Sequence, residues 1–151
     1  KLEKVDGNIY LRQNKVLQSL RGLSSLDSIG GTLDISSNRQ LRDLNGLDNL
    51  AEVGDTLAIR DNVALTTLGP LGSLERTGDG VIIIGNDDLV DLHGFEKLTA
   101  IEGGLFANEN ERLTSLDGLD NLRSIDGDLI IGNLVIFAPS GAVVVIGETR
   151  I

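Results

Sequence analysis

Asn14, Asn38, Asn62, Asn86 and Asn110 stand 24 residues apart in a chain of 151 residues. A fixed period of this length restricts the fold to stacked units, because one such unit cannot bury its own apolar face and must lay it against its neighbours. Seven apolar columns keep the same register. Leu17, Leu41, Leu65, Leu89 and Leu113 form one, Leu20, Leu44, Leu68, Leu92 and Leu116 the next, and Leu23, Leu47, Leu71, Phe95 and Leu119 a third. Columns led by Leu26 and Ile29 follow, and each unit opens on an alternating pair such as Ile9/Leu11, Leu33/Ile35 or Leu129/Ile131.

In the unit GGTLDISSNRQLRDLNGLDNLAEV, Leu33 and Ile35 alternate with polar neighbours, the period of a half-buried strand, so one strand per unit is expected. After the asparagine the apolar residues come every third position, at Leu41, Leu44, Leu47, Leu50 and Val53. That spacing fits neither an amphipathic helix nor an extended strand and predicts short strands and bends. The expected fold class is therefore all-β, a β-helix or solenoid of about six coils with little or no α-helix. The coils begin near residues 7, 31, 55, 79, 103 and 127, within one repeat domain spanning 1–133. At about 4.8 Å per coil the body is roughly 29 Å long.

Two edges interrupt the pattern. Leu2 and Val5 lie 24 residues before Leu26 and Ile29, so the chain opens inside a coil, as a fragment of a longer or processed protein would. At the other end the asparagine register slips by one, at Asn133, and the repeat gives way to the β-prone segment 134–151. This segment is expected to cap the last coil or to pass to another module or chain, since bare solenoid ends invite aggregation.

Thirteen basic against 23 acidic residues give a formal charge of −10, which repels phosphate backbones and argues against nucleic acid as a partner. Without cysteine there are no disulfides, thiolate metal sites or cysteine nucleophiles. No apolar run of about 18 residues is present, so no transmembrane segment is expected within the chain. Any signal or anchor would lie outside it.

The repeat G-x-L-x-I-x-x-N-x-x-L-x-x-L-x-G-L-x-x-L-x-x-I is written here as GTLDISSNRQLRDLNGLDNLAEV and, with substitutions, GGLFANENERLTSLDGLDNLRSI. It resembles the receptor L-domain repeat, a relative of the leucine-rich repeat, over about residues 2 to 133. The resemblance implies a right-handed β-solenoid, an extracellular or cell-surface setting and protein binding through a sheet face. Lacking cysteine, the chain is more similar to the family's microbial surface proteins than to its hormone-receptor members.

Candidate sites follow from the alternation along each strand. Tyr10, Asp34, Ala58, Ile82, Phe106 and Ile130 point outward in one column, and Arg12, Ser36, Arg60, Ile84, Asn108 and Gly132 in the next. Ile82, Ile84, Phe106 and Ile130 are expected to form a contiguous exposed patch, the mark of an interface, unless Val135 to Phe137 or Val143 to Ile146 fold over it. Tyr10, Arg12 and Arg60 supply polar anchors, and Asn108 completes the expected binding set.

The asparagine column is expected to be structural, bonding the backbone of the turns in its own and adjacent coils. Gly22, Gly46, Gly94 and Gly118 mark turns that need a positive φ or a close backbone approach. Gly85 and Gly132 are not a phosphate loop, since no basic residue or helix pattern follows them. Asp87, Asp88 and the single histidine, His93, invite an acid/base or calcium reading, but their columns elsewhere hold Lys15, Val16, Val63 and Gly69. Such unrestricted columns describe solvent-facing turns, and no calcium-loop spacing is present.

No catalytic residue, cofactor or metal is therefore expected. The expected function is a non-enzymatic extracellular module that binds a protein, self or other, or a glycan. It would be a segment of an adhesin or filament that assembles through solenoid ends or the C-terminal segment. The competing class is a carbohydrate-active β-helix lyase or hydrolase, for which Asp34 is the only acid on the strand face.

Overall fold

A computed structural model describes residues 1–132 and the strand at Val144–Val145. Each coil contributes two strands on either side of a tight turn. These are β1 (Lys4–Val5) and β2 (Ile9–Arg12), β3 (Ser28–Ile29) and β4 (Leu33–Ser36), and β5 (Glu52–Val53) and β6 (Leu57–Arg60). Then come β7 (Arg76–Thr77) and β8 (Val81–Ile84), β9 (Ala100–Ile101) and β10 (Leu105–Asn108), β11 (Ser124–Ile125) and β12 (Leu129–Gly132), and finally β13 (Val144–Val145). The four-residue strands, with the two-residue β13 at one edge, form one parallel sheet in the order β13-β12-β10-β8-β6-β4-β2; the other short strands stack as β1-β3-β5-β7 and as β9-β11. The protein is an all-β parallel solenoid of about five turns. Among the described residues its helix content is two three-residue 3-10 turns, Arg21–Leu23 and Gly69–Leu71. Among the described residues no helix is long and apolar enough to cross a membrane.

Every coil sits one repeat above the last: Asp34 pairs with Ala58, Ala58 with Ile82, and Phe106 with Ile130. The second, two-residue strand of each coil falls in the segment where the three-residue spacing predicts short strands and bends. It forms because any extended segment stacked at this spacing meets its equivalent in the next coil, and Ser28–Ile29 is too short to carry a readable alternation. The seven apolar columns fill the interior. Leu33, Ile35, Leu41, Leu44, Leu47 and Val53 are all fully buried, whereas the outermost coils leave Val5, Leu11, Leu119 and Leu129 partly covered.

The asparagine ladder has the expected role. The backbone N–H of Asn38 donates to Oδ1 of Asn62 at 3.0 Å and that of Asn86 to Oδ1 of Asn110 at 3.0 Å. From Asn38 onward each side-chain amide reaches back one coil, as from Asn38 to the Leu11 carbonyl at 2.8 Å and from Asn110 to that of Ile83 at 2.7 Å. Through Gly132 the strand register is unshifted, with Asn108 opposite Gly132. Asn133, where the sequence register slips, lies outside the described residues, as does the expected cap 134–151 apart from β13.

The glycine column divides. Gly46, Gly94 and Gly118 have φ of +116°, +125° and +107°, but Gly22 lies in a 3-10 turn with open space around it. The difference tracks the residue two positions on. Asp48, Glu96 and Asp120 each accept the glycine N–H at 2.8 to 3.2 Å, holding the turn open, whereas Ser24 follows Gly22. A further column missed in the sequence, Ser19, Asp43, Thr67, Asp91 and Ser115, caps the N–H two residues on in every one of these turns.

Candidate binding face of the seven-stranded sheet

Alternation along the strands turns two columns away from the core, and their N-terminal half is an ion-pair cluster. Asp34, on the central strand of β2-β4-β6, is 2 % exposed. Its Oδ2 accepts Arg12 Nε at 3.0 Å, Arg12 Nη2 at 2.7 Å and Arg60 Nη2 at 3.1 Å. The Arg12 guanidinium lies 4.3 Å from the centre of the Tyr10 ring, which is itself 53 % exposed. Two guanidiniums against one carboxylate leave a local positive charge on a protein of net charge −10.

The expectation that Asp34 stands open on the face is therefore corrected: it is the buried centre of a cluster. Its partners were legible in principle, since Arg12 and Arg60 lie 22 residues before and 26 after it, the diagonal neighbours of a 24-residue parallel register.

The C-terminal half is apolar. Ile82, Phe106 and Ile130 lie side by side on β8, β10 and β12, and Ile84 lies beside Arg60. These four side chains are half-buried rather than open, which corrects the expectation of a freely exposed patch. Phe106 folds its ring along the strand over Gly104, where a Cβ would come within 2.6 Å of it. Ala58 is fully buried between Asp34 and Ile82, and Asn108 is 3 % exposed, so neither offers an open contact. Val135 to Phe137, Val143 and Ile146 lie outside the described residues; β13 extends the sheet beyond β12, with Val144 beside Ile130.

Among the described residues, three buried side-chain atoms lack a hydrogen-bond partner: Asp34 Oδ1, Arg60 Nε and Asn108 Nδ2. All three belong to the outward columns of this sheet. Buried polar atoms are ordinarily paired, so their concentration on one face distinguishes it from the rest of the molecule.

The other candidates are dispersed. Asp87 lines a shallow acidic cleft with Asp61, Glu109 and Glu111, and Asp88 pairs with Arg112 at 3.2 Å. No group of three or more histidines or acids among the described residues is arranged to hold a metal ion. His93 Nδ1 lies 2.9 Å from Glu96 Oε1, and this hydrogen bond raises the histidine pKa above its ordinary value. The outward column after each strand imposes its own demand: Gln13, Ser37, Asp61, Gly85 and Glu109 all have φ between +54° and +66°. Gly85 is thus a backbone position, as Gly46 is. Compared with known proteins, the chain matches no family model, no curated protein and no solved structure.

Proposed function

We propose that this solenoid is a non-enzymatic binding module, a segment of an extracellular surface protein that presents the outer face of its seven-stranded sheet to a protein partner. The observation that carries the reading is the concentration of unpartnered buried polar atoms on that face, beside a strip of half-buried apolar side chains. A surface with a charged end and an apolar end gives a partner both orientation and buried area. The extracellular setting rests on the resemblance of the repeat to receptor L domains.

The competing enzymatic reading needs carboxylates working together on the face, and Asp34 there is engaged by two guanidiniums. A glycan-binding role is the alternative within the same class.

The test is binding of the chain to a panel of immobilised extracellular proteins and glycans, with self-association followed by sedimentation. Ile82→Glu and Phe106→Glu are expected to abolish association while circular dichroism shows the fold retained. Association unchanged in both variants overturns the assignment of the site to this face.

A further inference from the structure

We infer that Arg12 and Arg60, held by Asp34 and flanked by Tyr10, form a seat for one carboxylate, the side chain of an aspartate or glutamate on a protein partner. The inference rests on the reading of this sheet as a binding face and names the chemistry recognised at its charged end.

The geometry is that of a prepared anion site. Asp34 draws two guanidiniums from strands on either side of its own onto a single oxygen atom, at 2.7 and 3.1 Å. Their charges are thereby concentrated in one place instead of spread over two mobile side chains. Arg12 commits Nε and one Nη to Asp34, and Arg60 commits one Nη; the remaining N–H groups make no hydrogen bond among the described residues. Arg60 Nε is buried without a partner, so the donors open to a partner carboxylate are the uncommitted Nη groups. A guanidinium fork pairs with a carboxylate through parallel N–H donors, and one positive charge remains here to be neutralised. The side chains of Arg12 and Arg60 are 52 % and 41 % exposed, which leaves the cluster accessible from above.

A protein carboxylate fits better than an acidic glycan for two reasons. One face of the Tyr10 ring is already occupied by Arg12, which leaves at most the other face to stack on a sugar. A polyanionic chain must also approach against the field of a protein of net charge −10, whereas a single carboxylate on a neutral or basic partner need not. Tyrosine and arginine are enriched in protein interface hot spots, and Arg60 lies beside Ile84 at the edge of the apolar strip.

The experiment follows the 15N-labelled Nε–Hε signals of Arg12 and Arg60 during titration with a capped Gly-Glu-Gly peptide. Its Gly-Gln-Gly counterpart and a hyaluronan hexasaccharide are titrated in parallel. Saturable shifts at Arg12 and Arg60 with the glutamate peptide alone are expected. Arg12→Gln and Arg60→Gln should each weaken binding about two- to fivefold, and Asp34→Asn, which keeps an acceptor oxygen on the guanidiniums while removing the competing charge, should strengthen it. The seat is overturned by no saturable shift, by equal response to the glutamine peptide, or by equal shifts at Arg39 and Arg123. It is also overturned by stronger binding of hyaluronan or by weaker binding in Asp34→Asn. If Phe106→Glu still abolishes partner association when the titration fails, the face stands and the carboxylate seat falls; an intact titration with association unchanged in both glutamate variants leaves the seat and removes the apolar interface.

Discussion

The backbone N–H of Asn62 donates to Oδ1 of Asn86, 3.2 Å away and one coil further on. Asn62 also reaches back through Nδ2 to the Ile35 carbonyl at 2.9 Å, and its Oδ1 accepts the N–H of Asn38 at 3.0 Å. Each interior asparagine therefore ties three coils together, with both ends of its amide in use. Asn62→Ala would strand the Asn38 N–H in the core and take a second donor from the Ile35 carbonyl, which stays paired within the β4–β6 ladder. An unpaired buried group costs about 1–3 kcal/mol, so a loss of about 1–3 kcal/mol is expected in urea denaturation. Asn14 is exposed at the end of the ladder, and no described group donates to its Oδ1. Asn14→Ala should lose less than about 1 kcal/mol. Equal losses at the two positions would contradict the ladder as a source of stability.

Gly46 and Gly22 occupy the same column and make opposite predictions. A Cβ on Gly46 would sit 2.0 Å from the Leu20 carbonyl oxygen at a φ of +116°, so backbone must move to admit it. Gly46→Ala should destabilise by more than about 2 kcal/mol. Nothing lies within 4 Å of a Cβ at Gly22, and its φ is ordinary, so Gly22→Ala should be neutral or stabilise by up to about 1 kcal/mol through the unfolded chain. Thermal melts of the two variants decide the matter; a common sign would mean that the coils turn alike.

The period made the core legible because stacking needs only that equivalent residues recur, and Leu33, Leu57, Val81 and Leu105 do so in neighbouring strands. It could not show what depends on side-chain reach. Asp34 meets its arginines along diagonals, two residues off the column, so a reading by columns saw a lone acid. The turn caps escaped notice for another reason. Ser19, Asp43, Thr67, Asp91 and Ser115 look like an unrestricted column, yet each offers a short-armed oxygen to the same N–H. Positive φ after the strand was hidden too, because it falls on Gln13, Ser37, Asp61 and Glu109 as well as on Gly85.

That column carries stored backbone strain that can be relieved. A non-glycine residue in the left-handed region costs roughly 1–2 kcal/mol, partly offset when glycine replaces it by the greater freedom of the unfolded chain. Glu109 is exposed, has φ of +54° and makes no side-chain hydrogen bond among the described residues. Glu109→Gly should raise stability by about 0.5–1 kcal/mol, and Gly85→Val should lower it. A stability drop in Glu109→Gly, measured by urea titration, would mean that the side chain contributes more than its backbone costs.

The turn around His93 should make stability depend on pH in a defined direction. Hydrogen bonding to Glu96 is the main cause of the raised His93 pKa, with the charges of Asp91 and Asp117 adding to it against partial desolvation. For Glu96, burial pushes the pKa up. The hydrogen bonds from its own backbone N–H, from His93 and from the Gly94 N–H outweigh that effect, leaving it below its ordinary 4.5. A raised histidine pKa contributes stability that is complete below the ordinary 6.5 and is lost as pH rises through the folded value. A lowered carboxylate pKa contributes stability present above 4.5 and lost as pH falls through its folded value. The pair therefore supports the turn most fully between these two ordinary values. Melting temperatures across about pH 4 to 8 should fall on the alkaline side of that window in the native chain and flatten there in His93→Gln. Parallel profiles would show that the imidazolium and Glu96 do not interact in solution.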